Sequence, residues 1–164
     1  MTCGPSSRFA PKVGMRLIMT GRHSMDSRDR PVPAKADVSL RVPADSAYVS
    51  VLRTMTAGLA ARLDFTVDDI EDLRIAVGEA CALVLPEAVG DGDLVADFRL
   101  TPGTLTISVS VPTAGPRTAD LDSFAWQVLS TLTSSADAKS DASRFAVTFT
   151  TESSMSVAGP GAGG

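Results

Sequence analysis

A chain of 164 residues, 44% hydrophobic and 21% charged, is long enough for one domain with a core of its own. No apolar run approaches the roughly 20 residues of a membrane span, and two cysteines with a single histidine supply neither a zinc ligand set nor a Ser–His–Asp triad. The net charge of −4 is unevenly spread: residues 1–33 hold six of the 15 Lys/Arg and two of the 19 Asp/Glu, which leaves nine bases against seventeen acids in the rest. So acidic a body excludes direct nucleic-acid binding as the leading reading and favours a protein partner with a basic surface. Cys3 and Cys81 lie in unlike settings, one in a tail and one in a helical pattern, which fits a reducing, cytoplasmic home rather than a disulfide framework.

Residues 1–36 are rich in Ser, Pro and Arg and lack periodicity, so they are predicted to be a disordered tail. Met15, Met19 and Met25 offer later starts within it. The ordered domain is expected over 37–151. "DVSLRV" (37–42) alternates Val38, Leu40 and Val42, the period of a strand. The next run places Tyr48, Val51, Leu52, Met55, Leu59 and Leu63 three or four apart, a first helix with Asp45 as its N-cap. Thr66 followed by Asp69 is a variant capping box that opens a second helix over about 67–85. Its apolar face is Ile70, Leu73, Val77, Ala80, Cys81 and Val84, and Pro86 stops it.

"GDGD" (90–93) is a turn, and the alternating runs 94–100 and 104–111 on either side of Pro102-Gly103 are a hairpin. A loop over 112–119 leads to a third helix with Leu121, Phe124, Val128, Leu129 and Leu132 apolar. Phe145, Val147 and Phe149 alternate in a closing strand, and 152–164 are predicted to be a second disordered tail. Strands with one apolar face each are most simply satisfied by an α+β two-layer sandwich: a mainly antiparallel mixed sheet with all helices on one face.

The block "VSLRVPADSAYVSVLRTMTAGLAARLDFTVDDIEDLRIAVGEACALVL" resembles bacterial anti-sigma factors of the serine-kinase type. These regulators of sporulation and general stress carry the histidine-kinase-like (GHKL) ATPase fold. "DSFAWQVLSTL" is similar to the mycobacterial and streptomycete branch of that family, and the resemblance spans about 37–151. It implies an alternative sigma factor and an anti-anti-sigma (STAS-type) protein as partners, with no direct nucleic acid and no membrane. It also implies a homodimer.

In ATP-using members of that family, a Glu on the second helix is a general base, and an Asn four residues later holds magnesium. Positions i and i+4 share a helix face, so the carboxylate and the amide oxygen work side by side. Glu79 matches the base, but the Asn position is Leu83, and a hydrocarbon cannot ligate a hard cation. The family's Asp-Gly box corresponds to "SVPTAGPRT" (110–118), where Gly115 is a remnant and no acid precedes it; Asp120 and Asp122 come too late. The glycine-rich lid is replaced by "DLDSFAWQVL", where Phe124 and Trp126 are expected to fill the space. Glu87 and Asp91 are the remaining acids that could stand near such a pocket.

Three losses together predict a degenerate nucleotide site, with Glu79 as a vestigial base and no cofactor; ATP with magnesium belongs to the alternative, an active protein serine kinase. Arg53 falls where the family places a partner-binding arginine, on a helix face shared with Ser50 and Ala57, while Val51, Leu52 and Met55 are expected to face the core. The acids of 64–69 are expected to add negative charge toward a basic sigma surface. The plainer readings stand beside these. Glu79 is then a solvated residue, Arg53 an ordinary surface arginine, Trp126 a core anchor and Cys81 a small core residue.

Overall fold

The computed structural model describes residues 35–157. Five strands form one sheet in the order β1-β2-β3-β5-β4: β1 (Val38–Pro43), β2 (Asp93–Thr101), β3 (Thr104–Pro112), β4 (Ser135–Ser140) and β5 (Arg144–Glu152). The helices are α1 (Val49–Arg62), α2 (Val67–Val84), α3 (Phe124–Leu132) and the single-turn α4 (Ser154–Val157). The α+β class holds. Every strand pairing is antiparallel, so the sheet is not mixed.

Alternation decides the layers. Leu94, Ala96 and Phe98 of β2, Leu105, Ile107, Val109 and Val111 of β3, and Phe145, Val147 and Phe149 of β5 are all buried on the helix side. The other face is polar, and its groups satisfy one another. Thr106 and Thr150 hydroxyls meet at 2.9 Å, Thr148 donates to Ser108 at 2.9 Å, and Ser39 donates to Asp97 at 2.6 Å. Cross-strand pairs of this kind stabilise a sheet that faces water on one side.

The central helix is α2. It packs on β3 and β5, with α1 against one flank and α3 against another. A helix with neighbours on three sides has little room for side chains, which accounts for Ala76, Gly78, Ala80 and Cys81 among its buried positions. Its start is the predicted capping box, with both arms formed. Asp69 N–H donates to Thr66 Oγ1 at 3.2 Å, and Thr66 N–H donates to Asp69 Oδ2 at 3.0 Å. In place of the predicted end at 85, α2 ends at Val84 and a 3₁₀ turn, Leu85–Glu87, carries Pro86.

Several expectations are corrected. Asp45 caps a 3₁₀ turn over Ser46–Tyr48, and α1 proper follows it. The buried line of α1 is Leu52, Thr56 and Ala60, with Val51 left 45% exposed and Tyr48 37% exposed. Thr56 reaches the interior because its hydroxyl donates to the Leu52 carbonyl at 2.8 Å. Leu121 and Phe124 are 55% and 77% exposed and make no core, whereas Trp126 packs against it and Leu129 is fully buried.

β4 was not foreseen. "SADAKS" turns only Ala136 and Ala138 inward, too little apolar bulk to read as a strand, and it sits at the sheet edge where little is needed. The domain also continues past 151. Ser153 N–H donates to the Gly103 carbonyl at 2.8 Å and its hydroxyl to the Asp64 carbonyl at 3.2 Å. Ser154 donates to Asp69 Oδ2 from both its N–H, at 3.1 Å, and its hydroxyl, at 2.9 Å. The predicted disordered tails therefore give way at 152–157; the rest of 152–164, and 1–34, lie outside the described residues.

Asp69 thus gathers the start of α2 and the C-terminal turn onto one carboxylate. Burial pushes its pKa upward, but the hydrogen bonds from Thr66 and Ser154 outweigh that and hold it below its ordinary 3.8. A depressed carboxylate adds stability that is fully present above the unfolded-state value and is lost as pH falls through the folded one. Asp69→Asn is accordingly expected to lower the thermal midpoint at pH 7 and to make progressively less difference as pH falls below 3.8, measured by circular dichroism melts of both proteins at pH 7 and at the acid end of that range. A midpoint gap that is the same at both pH values would exclude this linkage.

Candidate functional site

Glu79 and Leu83 stand four residues apart on α2 and are both half-buried. Among the described residues no donor or base is paired with the Glu79 carboxylate, and Leu83 packs against the hydrophobic core. The residues do not fit a magnesium–nucleotide site. The position that would present an amide oxygen presents a hydrocarbon. Glu87 is engaged by Arg117 in an ion pair of 3.1 Å, and Asp91 instead lines a cleft of about 410 Å³ with Arg41, Ser110 and Arg144.

The segment expected to hold adenine is likewise otherwise engaged. Thr113 donates to the Gly115 carbonyl at 2.9 Å, Arg117 N–H donates to Ser140 Oγ at 2.7 Å, and Arg117 reaches Glu87. Gly115 sits at φ +120, a conformation that side chains resist, which gives it a backbone reason to be glycine independent of any ligand. Asp120 accepts from Asp122 N–H at 3.0 Å within its own turn. Ser123 then closes α3, accepting from Trp126 N–H at 3.3 Å. A capped first turn offers fewer free N–H groups to a phosphate. Phe124 does not fill the lid's space: it points into solvent.

On α1, Ser50 and Arg53 are exposed and Ala57 is half-buried. Arg53 departs from the simple picture in one respect. Its guanidinium lies over Gly78 of α2, close enough that a β-carbon there would overlap it. Its charge is also felt at Cys81. Burial pushes that thiol up to about 12, and the Arg53 cation pulls the other way. No carboxylate among the described residues is paired with Arg53. The acids foreseen as a negative edge divide: Asp68 is exposed, Asp69 is spent on the cap, and Asp64 takes a left-handed backbone (φ 59) at the end of α1.

The role of Gly78 was missed in the sequence, where it reads only as a small residue before Glu79. The Arg117–Glu87 pair was missed as well, because 30 residues separate its members and no local spacing joins them.

No family model matches the chain. It is 39% identical over 88 residues to the serine-protein kinase RsbW of Halalkalibacterium halodurans, a stretch that makes up 53% of this chain and 52% of that protein. The RsbW proteins of Bacillus thuringiensis and Bacillus anthracis are 36% identical over 75 residues, 44% of this chain and 47% of theirs. The chain spans about half the length of the curated relatives it matches. Among solved structures, the RsbU and RsbW domains of a Mycobacterium tuberculosis protein superpose with a TM-score of 0.55 at 18% identity, over 71% of this chain and 32% of that one. Over about half its length the chain is similar in sequence to RsbW serine-protein kinases, and over 71% of it the fold is similar to that of the RsbU and RsbW domain structure.

Proposed function

We propose that this domain is an anti-sigma factor that acts by binding. It holds an alternative sigma factor away from core RNA polymerase and releases it when an anti-anti-sigma (STAS-type) protein competes for the face around Arg53. The observation that carries the reading is Leu83: beside the one acid in position for proton transfer stands a side chain with no oxygen for a metal. Arg53, exposed on the neighbouring helix and in no ion pair among the described residues, supports the partner face. The acidic body supports a basic partner surface rather than nucleic acid. A cytoplasmic homodimer completes the proposal. Among the described residues, no helix is long and apolar enough to cross a membrane.

Calorimetry with ATP and magnesium tests it. The expected result is no saturable heat at millimolar nucleotide. Micromolar binding would overturn the degenerate-site reading. A second reading, an active serine kinase, draws on the name of the relatives and on Glu79, which is half-buried on α2 and unpaired among the described residues. Transfer of labelled phosphate to a STAS-type substrate, lost in Glu79→Ala, would establish it.

A further inference from the structure

We propose that Gly78 is a positioning residue for Arg53: the bare backbone of α2 at this point is a ledge on which the guanidinium rests, aimed outward before any partner arrives. The proposal rests on Arg53 being the partner contact. Three observations meet here. The three heavy atoms nearest to a β-carbon at Gly78 all belong to the Arg53 guanidinium group, so the space a side chain would take is the space that group occupies. Among the described residues no carboxylate pairs with Arg53, so it is not held by an ion pair of its own. The Arg53 charge is also felt at the Cys81 thiol, three residues along α2, in keeping with a cation over the same stretch of helix.

A long side chain that is free in solution must be ordered on binding, at a cost in rotamer entropy; one already resting on a surface has lost part of that freedom. Glycine in a helix interior is disfavoured relative to alanine. Its presence in the interior of α2 therefore calls for a steric reason, and no atom of any residue other than Arg53 is among those nearest neighbours. Any β-carbon at 78 pushes the guanidinium off the ledge. Because the displaced group is the far end of a flexible side chain, the helices themselves need not move.

The test is Gly78→Ala in the full chain, read first by NMR of the Arg53 Nε–Hε resonance, assigned by its disappearance in Arg53→Lys. In the unaltered protein this signal is expected away from the free-arginine position with slowed guanidinium rotation. In Gly78→Ala it moves to the free position, while the thermal midpoint is no lower because alanine is the better helix former. A free-arginine signal already present in the unaltered protein, or one unmoved by the substitution, overturns the proposal.

The second reading is affinity for the purified sigma factor that the unaltered chain captures. Gly78→Ala is expected to weaken binding about 3- to 10-fold, the size of ordering one long side chain. Gly78→Ala combined with Arg53→Ala is expected to bind no worse than Arg53→Ala alone. Additive losses in that cycle would show that Gly78 acts independently of Arg53, which also overturns the proposal. Normal binding by Arg53→Ala would instead remove the partner face, and the NMR arm would still decide whether the ledge exists.

Discussion

Arg53→Glu is expected to weaken the proposed complex with a sigma factor by at least about 100-fold, equivalent to about 2.7 kcal/mol, and to leave the fold intact. The two halves of that expectation have separate physical grounds. Arg53 is exposed and takes part in no ion pair among the described residues, and its guanidinium rests on Gly78 only through the far end of a flexible side chain, so replacing it is expected to cost the domain little. Binding is different. A guanidinium covered by a partner has groups arranged around a positive charge, and a carboxylate in its place faces them with the wrong sign. Removing one member of a buried, hydrogen-bonded charge pair at an interface costs about 2–5 kcal/mol, and reversal adds repulsion. Surface plasmon resonance with both proteins at one ionic strength, together with a melt of each, separates the outcomes. Unchanged affinity places the partner face elsewhere. A lowered midpoint means that Arg53 supports the packing of α1 on α2.

Most of the fold was legible because two periods dominate it. The three strands that pair in the middle of the sheet, β2, β3 and β5, each alternate large apolar residues with polar ones, and α2 carries a capping box at its start and a proline just past its end. What failed was bulk rather than period. In β4 the inward positions are alanines, and at the margin of a sheet the neighbouring strand supplies the pairing energy that the sequence does not announce. Val51 and Leu121 failed the opposite way. They are apolar, but no surface among the described residues covers them: the buried line of α1 passes beside Val51, and Leu121 lies ahead of α3 in the turn.

At the candidate site the sequence speaks through residue chemistry alone, since no packing can make Leu83 a magnesium ligand. The site was illegible where two distant stretches meet. Arg53 and Gly78 are 25 positions apart, Arg117 and Glu87 are 30 apart, and the pairs exist only because the fold brings α1 onto α2 and the 113–119 loop onto the turn after α2. The Ser153–Ser154 attachment to the Asp64–Asp69 corner is of the same kind, with nearly 90 residues between its partners.

Phe98 and Phe124 show what burial adds to residue type, and they carry the largest stability prediction. Phe98 is fully buried at mid-strand in β2, opposite Val38 on one neighbour and Ile107 on the other. Phe98→Ala leaves a ring-sized space flanked by strands on both sides, and a sheet whose backbone is paired along both edges cannot close around it. The expected cost is about 3–5 kcal/mol, a large share of the 5–15 kcal/mol typical of a whole domain, and a fall in thermal midpoint of about 10–20 °C. Phe124 is 77% exposed at the first position of α3, so Phe124→Ala is expected to stay within about 0.5 kcal/mol of the unaltered protein. Paired urea titrations give both numbers. If the two substitutions cost the same, then Phe124 is covered in solution by something outside residues 35–157, and the exposed start of α3 is itself a contact surface. If Phe98→Ala costs under about 1 kcal/mol, the β2 side of the core is less tightly packed than the burial of Leu94, Ala96 and Phe98 implies.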